Sequence, residues 1–408
     1  MLPPSRGAAR SRRDAEPLDR DHASVDGARE RATARASTAA HARAAYTLAA
    51  SAGGLASADN GPKIGCMALP PRTSRHRGPV TDHFDGSRFR NTEQTPHANA
   101  GGLAKWMLTR RPGVWRDWTE GEPGPRPPER VGRAEMRVTF VGHATTLIQM
   151  DGLNFLTDPV WSDRASPVAW AGPKRHRPPG LRFEDLPPID VVLLSHNHYD
   201  HLDVQTLRRL SETHAPRVIV GLGNAELCTA EGIARAEELD WWHSTQVTDE
   251  VRVVSVPARH FSGRGLGDRD ATLWMGLVVQ GPAGRAYFAG DSGYGVDFAE
   301  IRERVGAPRL ALLPIGAYEP RWFMSGVHMS PEEAVRAHVD LGAGTSVGIH
   351  YGTFRLTDEG QDEPVAALGR ALEATPSARD RFWVLEHGEG RDVPRAAEGS
   401  DSSKVAAE

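Results

Sequence analysis

Residues 195–201 read Ser-His-Asn-His-Tyr-Asp-His. Three imidazoles and a carboxylate packed this closely suit the holding of metal ions better than the filling of a core. Neutral imidazole and carboxylate are borderline ligands that favour zinc and also accept iron or manganese. His196 and His198 lie two apart, so in extended chain their side chains share one face and can hold one ion. Asp200 continues that face, whereas His201 breaks the parity, so the chain must turn if His201 is a ligand too. A turn lets Asp200 and His201 serve a second ion beside the first.

The run needs an element to aim it. Residues 191–194, Val-Val-Leu-Leu, follow Pro187-Pro188 and read as a buried strand that ends where the histidines begin. Three further segments repeat this pattern. Residues 251–256 form a predicted strand with His260 shortly after it. Residues 285–289 form another, followed by Gly290-Asp291-Ser292-Gly293, and residues 345–349 a third, followed by His350. Each candidate ligand therefore lies just past a strand end, where loops gather functional groups over a rigid sheet. Singly, His260 or His350 reads as a hydrogen-bonded core histidine and Asp291 as a turn former; together they complete the metal set.

The spacing His-x-His-x-Asp-His, then a lone His, an Asp and a last His, resembles the metallo-β-lactamase superfamily. Further motifs resemble its N-acyl-phosphatidylethanolamine-hydrolysing phospholipase D branch. They include Val141-Gly142-His143-Ala144-Thr145, Leu156-Thr157-Asp158-Pro159, Gly172-Pro173-Lys174-Arg175, Glu238-Leu239-Asp240-Trp241-Trp242, Phe288-Ala289-Gly290-Asp291 and the stretch from Pro314 to Met324. The likeness runs over about residues 79–390. It implies a zinc phosphodiesterase that releases an N-acylethanolamine and phosphatidic acid from an N-acylated phospholipid. It also implies that His196, His198 and His260 hold one zinc, that Asp200, His201 and His350 hold the other, and that Asp291 bridges them. By the same likeness His328 touches the substrate or passes a proton without being a ligand, so Asp200, Asp291 and His328 are the expected catalytic residues. Val327 stands where the animal enzymes of the branch carry Gln, so contacts to the head group differ there.

The chemistry of such a site follows from physics. Two divalent cations roughly 3.5–4 Å apart bring the pKa of a shared water toward neutrality and clamp the attacking and leaving oxygens of an in-line displacement at phosphorus. Hydrolysis of a lactone, thioester or β-lactam needs less, so the ligand set alone leaves open a hydrolase of the same fold acting on another bond, such as a lactone or cyclic phosphodiester. A metal-binding module without turnover is a further alternative, although a site for binding alone has no need of two ions with an open position. A nuclease of the same fold should add a basic insertion, and none is evident.

Other residues are candidates for tuning the site. Asp158, past the strand-like residues 153–157, could accept the spare ring N–H of a ligand histidine and fix its tautomer; Asp-Pro is also a plain turn signal. His143 ends a strand over 137–141 and reads equally as a neighbour of the metals or as a structural hydrogen-bonder. Tyr199, inside the histidine run, could reach a bound phosphate.

The elements that must carry these residues predict an α+β fold, the αββα sandwich of the superfamily. Asp151-Gly152 is a two-residue hairpin signal between strands at 137–150 and 153–157. Gly281-Pro282-Ala283-Gly284 joins strands at 274–280 and 285–289 in the same manner, so two similar β-rich halves are expected. A helix start is marked by Ser330 as N-cap, Pro331 at the first position and Glu333 closing a capping box. That helix leads into the His350 strand, with His338 expected on its surface.

Residues 1–75, rich in Ala, Arg, Ser and Gly, cannot bury enough surface to offset ordering entropy and are expected to be a disordered tail, with Met67 a candidate true start. Residues 76–392 should form the catalytic domain and 393–408 a second tail. A net charge of −4 argues against a nucleic-acid partner. The two cysteines, Cys66 and Cys228, imply no disulfide framework, so a cytoplasmic location is the default. The weakly apolar stretch 44–56 is a faint export signal, and no run is long enough to span a bilayer. A phospholipid substrate nonetheless requires contact with a membrane surface. Residues 105–111, Lys-Trp-Met-Leu-Thr-Arg-Arg, with Trp115 and Trp118 behind them, combine aromatics and cations as peripheral interfacial segments do. A helix packed on the sandwich with solvated arginines is the alternative.

Overall fold

Two seven-stranded sheets carry the chain in the computed structural model, which describes residues 74–93, 100–265 and 267–395. The first is built from β1 (Met136–Gly142), β2 (Thr145–Met150), β3 (Leu153–Thr157), β4 (Val191–Leu193), β5 (Arg217–Gly221) and β6 (Ala236–Leu239). The second holds β7 (Ser244–Gln246), β8 (Arg252–Val256), β9 (Gly276–Gly281), β10 (Gly284–Phe288), β11 (Leu310–Pro314), β12 (Thr345–Ile349) and β13 (Phe382–Trp383). The last strand, β14 (Gly390–Asp392), returns to the outer edge of the first sheet, beside β1.

Each sheet is antiparallel on one side and parallel on the other. The order β14-β1-β2-β3-β4-β5-β6 changes to parallel pairing at β3/β4, and β7-β8-β9-β10-β11-β12-β13 changes at β10/β11. The two hairpins expected from sequence lie on the antiparallel sides, next to these changes of direction. Met150 pairs with Leu153 across Asp151 and Gly152, both at positive φ, and Gly281 pairs with Gly284. The stretch 137–150 is two strands, β1 ending beside His143 as the reading of 137–141 expected, and His143 and Ala144 form the turn that antiparallel β1 and β2 need.

Alternation along β4 shows how the layers form. Val191 and Leu193 face the core between the sheets, together with Ile148, Phe155, Val253, Leu277 and Phe288. Val192 and Leu194 face outward, where Leu207 and Leu210 of α2 (Val204–Thr213) and Leu227 of α3 (Ala225–Ala230) cover them. Across the second sheet, α4 (Asp297–Val305), α6 (Pro331–Leu341) and α7 (Glu363–Glu373) contribute Phe298, Ile301, Val335, Leu341 and Leu368 to the core. Two more helices, α1 (Ala100–Thr109) and the single turn α5 (Arg321–Met324), lie outside this frame.

The capping box of α6 is present, with Ser330 Oγ accepting from Glu333 N–H and the Glu333 carboxylate accepting from Ser330 N–H. His338 differs from expectation. It is buried beneath α6, its Nδ1 2.7 Å from Ser346 Oγ on β12, because this helix face packs on the sheet. The tails expected at 1–75 and 393–408 fall almost wholly outside the described residues. At the borders, Ser74 bonds to the Gly223 carbonyl, and Val393 N–H donates to Met136.

Candidate metal centre

β4 delivers its chain straight into the site. After Ser195 the backbone turns, with His201 and Leu202 N–H both donating to the His198 carbonyl, which is the turn the parity of the sequence demands. His196 Nε2 then lies 2.8 Å from His198 Nδ1. His260, reached from the end of β8, places its Nε2 3.3 Å from the same His198 nitrogen. These three residues offer ligand atoms that converge on one point.

A second group forms beside them. Asp200 Oδ2 is 3.4 Å from His201 Nε2 and 3.4 Å from His350 Nε2. His143, in the β1–β2 turn, joins it with Nε2 2.9 Å from Asp200 Oδ2 and its ring 4.0 Å from that of His350. Asp291 lies between the groups: its Oδ2 is 3.1 Å from His201 Nε2 and 3.7 Å from His260 Nε2, and its Oδ1 is 3.2 Å from His350 Nε2. His328 stands over this carboxylate, Nδ1 4.0 Å from Oδ2.

The backbone bends sharply to gather these groups. His143, Asp158 and His350 all adopt positive φ, an uncommon choice for such residues that is retained where surrounding contacts fix it. Gly290 is required by proximity: a β-carbon there would lie 2.4 Å from that of Ser195, so only glycine lets the Asp291 turn approach the histidine loop.

Several ligand atoms of this buried centre approach one another without forming hydrogen bonds. Nε2 of His201, Nε2 of His350, Oδ1 of Asp291 and Nδ1 of His328 are buried and make no hydrogen bond. Orphaned nitrogen and carboxylate atoms facing one another are costly unless something occupies the space between them. The donor set, imidazole plus carboxylate, fits transition-metal ions. Charge points the same way. Burial opposes ionisation of Asp200 and Asp291, yet the surrounding imidazoles hold both well below the usual carboxylate range. Burial also opposes protonation of His350, but Asp291 and Asp200 outweigh it and raise its pKa to about 9. Two buried carboxylates thus draw positive charge into the centre.

Asp158 supports the ring of His201, with Oδ2 2.5 Å from His201 Nδ1, while also accepting from Ser195 N–H and Oγ–H. Tyr199 sits differently from a phosphate contact: its hydroxyl donates to the Arg264 carbonyl, and the Arg264 guanidinium stacks 3.9 Å from its ring.

A model of the beta-lactamase superfamily domain matches residues 153–351. The chain is also 41% identical over 258 residues to N-acyl-phosphatidylethanolamine-hydrolyzing phospholipase D 1 of Caenorhabditis elegans, a match covering 60% of this chain and 72% of that protein. The chain belongs to the metallo-β-lactamase superfamily. An uncharacterized protein of Mycobacterium tuberculosis is 47% identical over 249 residues, covering 60% of this chain and 66% of its own, just under two thirds of that relative's length. Among solved structures, a Veillonella parvula protein described as a "possible metal-dependent hydrolase" shares the superfamily fold at a TM-score of 0.51 and 17% identity, over 63% of this chain and 99% of that one.

Sequence reasoning missed the groups that brace this superfamily site from a distance. Asn197 Oδ1 accepts from Gly263 N–H, and Arg264 donates to the carbonyls of Asn197 and Leu202, fixing both ends of the histidine loop. Arg259, next to His260, pairs with Asp297 and Glu93. Arg321 donates to the carbonyls of Tyr318 and His328 and pairs with the capping Glu333, tying the His328 loop to α6. The contacts of Asn197, Arg264 and Arg259 join positions far apart in the chain, where no local motif marks them.

Proposed function

We propose that this metal-dependent hydrolase is a phospholipase D-type phosphodiesterase that cleaves N-acyl-phosphatidylethanolamine or a related lipid into an N-acylethanolamine and phosphatidic acid. The observation that carries the reading is the position of Asp291, whose carboxylate reaches ligand atoms of both groups. In this reading His196, His198 and His260 would hold one zinc ion and Asp200, His201 and His350 a second, with Asp291 placed to serve either. Such a pair of ions, when bound, supplies an activated water near neutral pH and positive charge for phosphate oxygens.

The protein's own groups set up the rest. Asp158 keeps Nδ1 of His201 engaged, leaving Nε2 turned toward Asp200 and Asp291. His143 holds Asp200 through one carboxylate oxygen. His328 is buried, and its Nδ1, without a hydrogen bond and 4.0 Å from Asp291 Oδ2, is placed to touch the substrate or pass a proton.

The lipid must also be presented. No helix among the described residues is long and apolar enough to cross a membrane. On α1, however, Leu103, Met107 and Leu108 are exposed, with Val114, Trp118 and Trp322 also exposed. Trp106, by contrast, is buried against Phe323 and donates to Asp358, so the helix is fastened on one side and bare on the other. Lys105 lies 4.5 Å from the Trp322 ring. We read this apolar face with its cations as a peripheral membrane contact. The reading is tested by incubating purified protein with N-acyl-phosphatidylethanolamine beside lactone, cyclic phosphodiester and β-lactam substrates and identifying the products. Release of N-acylethanolamine is expected; turnover of a lactone alone would transfer the assignment to the other branch of chemistry.

A further inference from the structure

The N-terminal segment ahead of the sheets reaches the main chain of His260. Residues 74–93 run from Gly223, after β5, to His260, after β8. Phe84 and Phe89 are buried in the main core, and the backbone of His76 and Phe89 bonds to the 270–271 turn. His83 bridges Asp82 and Asp240 and stacks on Trp241 at 4.5 Å. The segment then brings in Asn91. The side chain of Asn91 makes two bonds to a single residue, with Oδ1 accepting from His260 N–H at 3.1 Å and Nδ2 donating to the His260 carbonyl at 3.1 Å. A third bond comes from Trp274 Nε1–H to the same Oδ1, at 2.9 Å.

We propose that Asn91 is the positioning residue for His260, clamping its main chain so that the imidazole can meet the other ligands; this rests on the reading of His260 as a metal ligand. His260 is buried in a loop outside any strand, so no ladder satisfies its peptide groups. Asn91 supplies the missing donor and acceptor in the manner of a neighbouring strand. With the backbone fixed, the ring is oriented by one further bond, Nδ1 donating to the Val327 carbonyl at 2.9 Å, which leaves Nε2 directed at His198 and Asp291. Asn91 lies outside residues 153–351, so the superfamily core borrows this support from the chain ahead of it. Loss of the side chain should not unseat Trp274, whose Nε1–H also bonds to the Ala258 carbonyl at 2.9 Å.

The test uses the zinc-loaded full chain and its Asn91→Ala, Asn91→Asp, His260→Ala and His338→Ala variants. Each is dialysed against graded chelator, zinc per chain is measured by mass spectrometry, and the metal-stripped proteins are melted. Asn91→Ala should hold one of the two ions ~10–100-fold more weakly, the usual effect of losing support behind a ligand. Its stripped form should melt close to the parent. Asn91→Asp keeps the acceptor for His260 N–H and loses the donor, so it should fall between. His338→Ala should melt lower and keep both ions. Parental zinc retention in Asn91→Ala and Asn91→Asp, with His260→Ala losing an ion, would overturn the clamp while leaving the ligand reading intact. Loss of both ions from Asn91→Ala together with a melting drop like that of His338→Ala would make Asn91 merely structural. Full zinc retention in His260→Ala would remove the ligand reading and the clamp with it.

Discussion

Asp158 Oδ2 lies 2.5 Å from His201 Nδ1, and neither side chain is reached by solvent. A carboxylate that accepts from Nδ1–H leaves Nε2 as the nitrogen that would meet a metal ion. Asp158→Asn keeps the shape and cannot accept that proton as a carboxylate does. Activity should fall by about 10–100-fold, with weaker metal retention. Steady-state kinetics paired with metal analysis checks this; unchanged values in both would make Asp158 only a turn former.

Asp291 and His338 are both buried, yet they should respond differently. Asp291→Ala should leave the fold largely intact while removing most activity and at least one ion. His338→Ala loses its Ser346 contact and should cost ~2 kcal/mol of stability with activity retained in the folded fraction. Chemical denaturation and metal content distinguish the two. Equal, mild losses would show that the downstream ligands are wrongly assigned.

His83 makes the hold of the N-terminal segment sensitive to pH. Burial lowers its pKa, but the bonds to Asp240 and Asp82 outweigh that and raise it above the ordinary 6.5. A histidine whose folded pKa is raised contributes stability that is complete below the unfolded value and lost as pH climbs through the folded one. The stability advantage of the parent over His83→Gln should therefore be greatest below about pH 6.5 and shrink on the alkaline side. Urea unfolding of both proteins across that range measures it, and an advantage that grows with pH would contradict the assignment.

Leu108 and Val114, each 88% exposed, are the most open of the apolar residues about α1. Leu108→Glu with Val114→Glu should weaken sedimentation with phospholipid vesicles and slow cleavage of vesicle-borne substrate. Turnover of a short-chain, soluble analogue should stay at the parental rate. A matching loss on both substrates would place these residues in folding rather than in lipid contact.

How far the sequence disclosed this molecule depends on the range of the interactions. The histidine loop, the hairpin at Asp151-Gly152 and the capping box at Ser330 were legible because each is encoded within a few residues. The gathering of His260, Asp291 and His350 was legible in outline, because each follows a predicted strand and such ends share one rim. The strand end at His143 was read, but the tight turn into a second strand was not, since His143 occupies a left-handed position that carries no glycine. His338 was misplaced because its helix is buried on a face wide enough to include it. Asn91 and Arg264 act through contacts between distant positions, and only the folded chain displays those.

The bond that breaks decides the central claim. Hydrolysis of N-acyl-phosphatidylethanolamine in ¹⁸O-labelled water, followed by mass spectrometry of the products, reports which atom water attacks. Attack at phosphorus puts the label in the phosphate of phosphatidic acid and leaves the N-acylethanolamine unlabelled, which is the result expected here. Label in a released fatty acid would show cleavage at an acyl carbon and would replace the phosphodiesterase reading.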